Sequence, residues 1–123
     1  MWYIVAMDKN TCTIYEGDCF TAEWFYDDDG GSQSYDYFLK ASDVEKRRFL
    51  ILVKRLCDFG RIADKTKFRN EENGIYAFKP QPDHYLCFFF IGKKVIVTNA
   101  YRKKGQKLPK SEKRNRIEEQ GYI

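Results

Sequence analysis

One histidine and a group of lysines and arginines are the residues of this sequence that could act together chemically. The cations come from a polar connector, from the end of one predicted strand and from the end of a later one. In chain order they are Arg61, Lys65, Lys67, Arg69, Lys79, Arg102, Lys103, Lys104 and Lys107. His84 begins a predicted strand that lies between the other two along the chain. Because the outer strands of a three-stranded meander flank its middle strand, these side chains can share one face.

Such a group suits the cleavage of RNA without a metal ion. The 2′-hydroxyl of RNA attacks the adjacent phosphate, which leaves a 2′,3′-cyclic phosphate and a 5′-hydroxyl. The protein must orient the backbone, help to move two protons and balance the charge of the transition state. Clustered cations serve the last task, and His84 is the only side chain here whose ordinary pKa lies near neutrality.

Tyrosines lie beside these cations, which favours single-stranded RNA because unpaired bases stack on aromatic rings. Tyr76 and Tyr101 are the two that we expect to act in this way. The residues predicted to bind RNA are Lys65, Lys67, Arg69, Tyr76, Tyr101, Lys103 and Lys107.

Simpler interpretations stay open for each of these residues. A single histidine at a strand start is often a surface residue, and lysines near a strand end can follow a phosphate backbone without doing chemistry. Charges in a connector are often only solvated. Tyrosines more often pack than stack on bases.

Several classes of function lack their signature in the sequence. There is no HExxH, no GxGxxG after a strand and no phosphate-binding loop, and none of the four cysteines forms a CxxC pair. We therefore expect no metal or other cofactor. No apolar run approaches the roughly 20 residues that span a bilayer, and the start does not resemble a signal peptide. The expectation is a cytoplasmic protein with reduced thiols and no membrane contact.

Charge divides the chain into two unlike parts. Residues 1–43 contain nine acidic and two basic side chains, whereas the remainder contains twenty basic and nine acidic ones. Nucleic acid is the usual partner of so basic a segment. A pair of solvated faces, or an acidic part that docks a basic protein, would produce the same division of charge.

The elements that must position the cations form a predicted α+β fold. A chain of 123 residues makes one domain, residues 1–123. Strands are predicted over residues 1–7, 75–79, 84–91 and 95–101, with a short strand possible over 11–15. Helices are predicted over residues 34–39, 42–59 and 110–120. The result is a small curved antiparallel sheet of about four main strands, packed with two helices on its N-terminal side and a C-terminal helix.

The helix over residues 42–59 has the strongest local signals. Ser42 and Glu45 form a capping box, and Gly60 stands where a left-handed residue ends a helix. An apolar stripe at helical spacing consists of Phe49, Leu52, Val53 and Leu56.

The end of the chain resembles the closing signature of RelE/HigB-type toxins, in particular a phage-derived HigB-like subgroup. The stretch is VTNAYRKKGQKLPKSE, residues 97–112. The matching positions are Ala100, Tyr101, Lys103, Lys104, Gln106, Lys107, Pro109 and Glu112. The segments GIYAFKP (74–80), PDHYLCFFF (82–90) and LCDFGRI (56–62) resemble family elements too. The resemblance covers about residues 34–116, and the acidic segment 8–33 has no counterpart in it.

That resemblance implies a RelE-like domain that cleaves ribosome-bound mRNA, and an antitoxin, often of helix-turn-helix type, encoded beside it. Lys79 takes a position where arginine is common, and His84 takes another where many relatives carry arginine. Arg102, Lys103 and Lys104 match the basic group at the strand end. The predicted catalytic residues are therefore Lys79, His84, Arg102 and Lys104. The alternative function is a non-catalytic domain that binds RNA, the ribosome or a protein.

Overall fold

A computed structural model describes residues 12–103 of the chain. The strand predicted over residues 1–7 and the helix predicted over residues 110–120 lie outside this range. Lys104 and Lys107 lie outside it as well. Neither described helix is long and apolar enough to cross a bilayer.

Six strands form one mixed sheet in the described part of the chain, in the order β1-β2-β6-β5-β4-β3. Their bounds are β1 Thr13–Glu16, β2 Thr21–Trp24, β3 Phe68–Glu72, β4 Ile75–Phe78, β5 Asp83–Phe90 and β6 Lys94–Arg102. Strands β3 to β6 form an antiparallel meander, β1 and β2 form an antiparallel pair, and β2 joins β6 in parallel.

The prediction of about four strands in an antiparallel sheet was therefore wrong in number and in direction. The meander of β4, β5 and β6 is confirmed, but β3 arises within a segment that was predicted to be a polar connector. Only Phe68 of β3 is buried, so this edge strand has no alternating apolar pattern to reveal it. Strands β1 and β2 have four residues each, which gives little periodicity to detect.

Two helices follow one another between β2 and β3. Helix α1 covers Gln33–Lys40 and helix α2 covers Asp43–Phe59, close to both predictions. Ser42 and Glu45 form the predicted capping box at the start of α2. Gly60 ends α2 with a φ of 85°, a left-handed conformation that glycine adopts without strain.

Both helices pack against one side of the sheet, which we call the helix face. The main core lies between the helices and the sheet, and Phe49 of α2 is at its centre. The ring of Phe49 stacks on Tyr85 at 3.8 Å between centroids and contacts Trp24, Phe38 and Phe78. The apolar stripe predicted for α2 is confirmed, since all four of its residues are buried.

The acidic N-terminal segment extends the sheet and is fastened to α2. Its β1–β2 turn brings the backbone amides of Cys19 and Phe20 to the carbonyl of Cys57, at 2.7 and 3.0 Å. That carbonyl belongs to the last turn of the helix, where intrahelical partners are missing. Gly17 permits the approach, because a Cβ there would lie 2.5 Å from the backbone of Cys57. The segment therefore supplies sheet structure as well as charge.

Side chains alternate between the two sides of each strand, so the meander also presents a second side, which we call the far face. A smaller buried cluster marks it, made by Ile75, Ala77 and Leu86 with Tyr101 packed against them. A bulge opposite Leu86 and Cys87 shifts the register of β6. After this bulge, Asn99 lies opposite Leu86 and Tyr101 lies opposite His84.

Candidate functional site

The ends of β4, β5 and β6 meet at one edge of the far face and bring together four of the predicted site residues, Lys79, His84, Tyr101 and Lys103. Phe78 pairs with Tyr85, so the same register places Lys79 next to His84. His84 in turn pairs with Tyr101 of β6. Side chains from three separate segments thus lie side by side, as the meander predicted.

His84 is the centre of this group and is only 4% exposed. Its Nδ1 lies 3.5 Å from the hydroxyl of Tyr101. Burial lowers the pKa of His84 to about 4, and the charges of Lys103 and Lys79 contribute to the lowering, while Glu71 opposes them. At neutral pH the imidazole is therefore uncharged and has the form that accepts a proton.

Lys79 is also buried, at 9% exposure, and its charge is paired. Its Nζ lies 3.3 Å from Oε2 of Glu71. Glu71 stands where the pairing of β3 with β4 shifts between Asn70 and Glu72, so an irregularity in the edge strand supplies this acid. Glu71 was not selected from the sequence, because β3 itself was not predicted.

Asn99 is a second residue of the far face that was not selected from the sequence. Its side-chain Oδ1 is the one buried side-chain oxygen or nitrogen without a hydrogen-bond partner among residues 12–103. Asn99 is 8% exposed and stands two residues before Tyr101 on the same strand. A polar residue inside the predicted strand VIVTNAY was the available signal, since buried amides usually find partners.

Arg102 lies on the other side of the sheet from His84. Its guanidinium contacts Oε2 of Glu45 at 2.7 Å and Oδ1 of Asp83 at 3.4 Å. Tyr37 donates a hydrogen bond of 2.6 Å to the same Asp83 oxygen. Burial and this hydrogen bond raise the pKa of Tyr37 to about 12. The structure therefore does not bring Arg102 to Lys79 and His84, although all three were predicted to act together.

The predicted RNA-binding residues are divided between several places. Lys103 approaches His84 closely enough to affect its pKa, and its backbone amide donates to the carbonyl of Pro82 at 3.0 Å. Arg69 is exposed and pairs in register with Ala77 of the far-face cluster. Lys65 is exposed in the loop before β3.

Tyr76 and Lys67 lie apart from His84. Tyr76 packs into the main core, where its ring stacks on Phe68 at 5.5 Å. Lys67 lines a cavity beside α2. The structure does not bring Tyr76 to Tyr101, because they occupy opposite faces of the sheet.

Within residues 12–103, no three His, Cys, Asp or Glu side chains lie close enough together to hold a metal ion. The four cysteines are free thiols. Burial raises the pKa of Cys12 and of Cys57 to about 11, which keeps both thiols protonated at neutral pH.

The site therefore combines a neutral imidazole, a tyrosine hydroxyl and two ammonium groups at one sheet edge. An anion that enters beside Lys79 and Lys103 would meet positive charge from two sides. The imidazole could accept a proton from a hydroxyl next to that anion.

Comparison with known proteins gives a family match over most of the chain. The model of the family described as "Phage derived protein Gp49-like (DUF891)" matches residues 36–119, more than half of the chain. The resemblance seen in the sequence covers almost the same residues, whereas the narrower assignment to a HigB-like subgroup stays a prediction. No curated protein matches the chain. On the extent of the family match, the chain belongs to the phage-derived Gp49-like protein family.

Proposed function

We propose that this protein is the toxin of a toxin–antitoxin pair and that it cleaves mRNA in the cytoplasm. The cleavage is metal-independent, proceeds by attack of the 2′-hydroxyl, and takes place on ribosome-bound mRNA. Membership in the Gp49-like family supports a toxin of RelE type, and the closing signature supports the HigB-like subgroup. The proposed partners are mRNA, the ribosome and an antitoxin of helix-turn-helix type.

The observation that carries this proposal is the meeting of Lys79, His84, Tyr101 and Lys103 at one edge of the far face. These residues come from two separate parts of the chain, residues 79–84 and residues 101–103, which the pairing of β5 with β6 brings together. Electrostatic interactions of His84 with both Lys79 and Lys103 indicate that the three side chains are close. The sites of metal-independent ribonucleases need such a group, because no bound cation balances the transition state.

In the proposed mechanism His84 is the general base. Its uncharged form predominates at neutral pH, since its pKa is about 4. The negative charge of a bound phosphate offsets the two lysines, so it raises the pKa of His84 and makes the imidazole a stronger base. His84 then takes the proton of the 2′-hydroxyl, and Tyr101 orients the imidazole through Nδ1.

Lys79 and Lys103 stabilise the charge that develops on the phosphate oxygens. Lys79 is held by Glu71 at 3.3 Å, so the phosphate competes with that carboxylate for the ammonium group. Lys104, the next residue along the chain after Lys103, is proposed to protonate the 5′-oxygen that leaves. Lys65, Arg69 and Lys107 are proposed to follow the RNA backbone on either side.

The test is cleavage of a defined mRNA in a purified translation system, with mapping of the new ends. We expect fragments with a 2′,3′-cyclic phosphate and a 5′-hydroxyl, cut within the translated region. Lys79→Ala and His84→Ala should each reduce the rate by about 10²-fold or more, the usual contribution of a positioned acid, base or charge. Lys40→Ala, an exposed lysine at the end of α1, is the matched control and should cleave normally.

Fragments with a 3′-hydroxyl would contradict attack by the 2′-hydroxyl, and cleavage that persists in both variants would move the active site elsewhere. Repeating the reaction with free mRNA separates chemistry from ribosome binding. Equal rates on free and translated mRNA would contradict the proposed role of the ribosome.

A second candidate function is a domain that binds RNA or the ribosome without cleaving either. The burial of His84 and Lys79 favours it, because a polymer must reach side chains that are 4% and 9% exposed. In this case the wild type would bind ribosomes, and no new mRNA ends would appear.

A further inference from the structure

Helix α2 exposes a stripe of alternating apolar and basic residues on its outer side. Val44, Arg48, Ile51 and Arg55 follow one another at intervals of four, three and four residues, so they form one line along the helix. Val44 and Ile51 are 50% and 49% exposed. Two such aliphatic side chains on one line are unusual for a helix surface that meets only water.

A cavity of ≈ 270 Å³ lies beside the C-terminal half of this stripe. Its lining includes Arg48, Ile51 and Arg55 of α2, together with Lys67 and Pro80. The surface is thus a helix stripe with an adjoining pocket.

Positive charge dominates this surface. Residues 44–58 include five lysines and arginines and two acids, Glu45 and Asp58, which pair with Arg102 and Lys54. Asp64 is the acid that lines the cavity, and Thr66 engages it through a hydroxyl hydrogen bond of 2.6 Å and an amide hydrogen bond of 2.9 Å. These hydrogen bonds lower the pKa of Asp64, so it is charged, and a single carboxylate balances only part of the surrounding charge.

We propose that the stripe and its cavity bind an acidic segment of a protein partner that also carries apolar side chains. This rests on the proposed function, in which the partner is the antitoxin. Carboxylates would pair with Arg48, Arg55 and Lys67, and an apolar side chain would cover Ile51. The charge of the surface and its exposed aliphatic residues both match that chemistry.

A protein fits this surface better than RNA does. Arginine is enriched in protein interfaces, and exposed aliphatic side chains gain free energy when a partner covers them. Surfaces that bind nucleic acids are more polar, and half-exposed valine and isoleucine give a phosphate backbone nothing to contact. The stripe also lies on the helix side of the sheet, so its occupant and an RNA on the far face use separate surfaces.

The test uses the purified protein encoded by the adjacent reading frame and measures its dissociation constant with this chain by calorimetry. The main variant is Arg48→Glu with Arg55→Glu, and Ile51→Ser tests the apolar contact alone. We expect the double variant to weaken binding by about 100-fold and Ile51→Ser by about 10-fold, as for central residues of an interface. Lys40→Glu with Lys93→Glu makes the same change of charge at exposed positions elsewhere and should bind like the wild type.

Binding of ribosomes and mRNA cleavage are measured on the same variants, and melting temperatures confirm that the variants fold. Unchanged affinity for the neighbouring protein in both stripe variants, or no binding by the wild type, overturns the proposal. Stripe variants that lose ribosome binding but still bind the neighbouring protein would show that the stripe binds RNA instead. If the wild type cleaves no mRNA and the stripe variants still lose the partner protein, only the proposed nuclease activity is refuted.

Discussion

Charged residues have different roles on the two faces of the sheet. On the helix face, the charged residues at the strand ends are neutralised by one another, since Arg102 contacts Glu45 and buried Asp83. On the far face, His84 lies under the influence of two ammonium groups, and Glu71 is the acid that opposes them. The first arrangement ties α2 to the sheet, and the second leaves an excess of positive charge beside a neutral imidazole.

Three consecutive residues show how side chains are distributed between the two faces of the sheet. Tyr101 and Lys103 are directed toward His84, whereas Arg102 between them meets the helices. A basic run in a strand is therefore divided by the pleat, and adjacent cations need not share a role. Substitutions on each face test this division, from the largest expected effect to the smallest.

Phe49→Ala should have the largest effect, because it empties the centre of the helix-face core. The ring is fully buried and contacts Trp24, Phe38, Phe78 and Tyr85. We expect the free energy of unfolding in urea to fall by about 3–5 kcal/mol. Phe59→Ala is the control, since that ring is 75% exposed and its removal should change stability little. Similar losses in both variants would contradict the placement of the core.

Acidification should destabilise the protein through His84 on the far face. The pKa of His84 is about 4 in the folded protein, whereas its ordinary value is 6.5. Between these two pH values the unfolded chain therefore binds a proton that the folded protein does not bind. Above pH 6.5 the contribution of neutral His84 to the free energy of unfolding is fully present. As the pH falls toward 4 this contribution is lost, and the free energy of unfolding decreases by at most about 3 kcal/mol. His84→Gln should flatten this part of the curve of unfolding free energy against pH. A curve that His84→Gln leaves unchanged would mean that His84 titrates normally.

Arg102→Ala should separate structure from catalysis. The change removes both ion pairs and leaves the buried carboxylate of Asp83 with Tyr37 as its remaining side-chain hydrogen-bond partner within residues 12–103. We expect the melting temperature to fall by a few degrees and mRNA cleavage to persist below that temperature. A folded Arg102→Ala protein that has lost cleavage would restore the catalytic role predicted from the sequence.

Tyr101→Phe should have the smallest effect, because it removes only the hydroxyl that lies 3.5 Å from Nδ1 of His84. We expect cleavage to slow by roughly 2- to 10-fold, the value of one hydrogen bond. The imidazole resonances of His84 in an NMR titration should shift as well. Tyr35→Phe changes a tyrosine that packs on Trp24 and should alter neither property. An unchanged rate and unchanged resonances in Tyr101→Phe would remove Tyr101 from the site.

The parts of the fold that have strong local signals could be predicted from the sequence. Ser42, Glu45 and Gly60 define the ends of α2 by hydrogen bonds and backbone conformation within a few residues. The meander followed from long apolar runs separated by short turns. Strand β3 could not be predicted in this way, because an edge strand with one buried residue lacks periodicity.

The candidate site was predictable only in part. Lys79, His84 and Tyr101 were selected because a meander aligns the ends of its strands, and this needs no knowledge of register. The faces on which Asn99, Tyr101 and Arg102 lie depend on the bulge in β6, and the position of Glu71 depends on the irregular pairing of β3; packing between distant segments sets both.

The sequence alone thus determined that the second half of the chain is basic and contains the single histidine. It also determined that these residues lie at the ends of three neighbouring strands. Residue types and turn lengths are local properties, so they can be read without the fold. Only the tertiary structure decided which cations meet His84, because alternation and bulges assign each side chain to a face. It also decided that the acidic first part extends the sheet through β2, whose parallel pairing with β6 joins residues more than seventy positions apart.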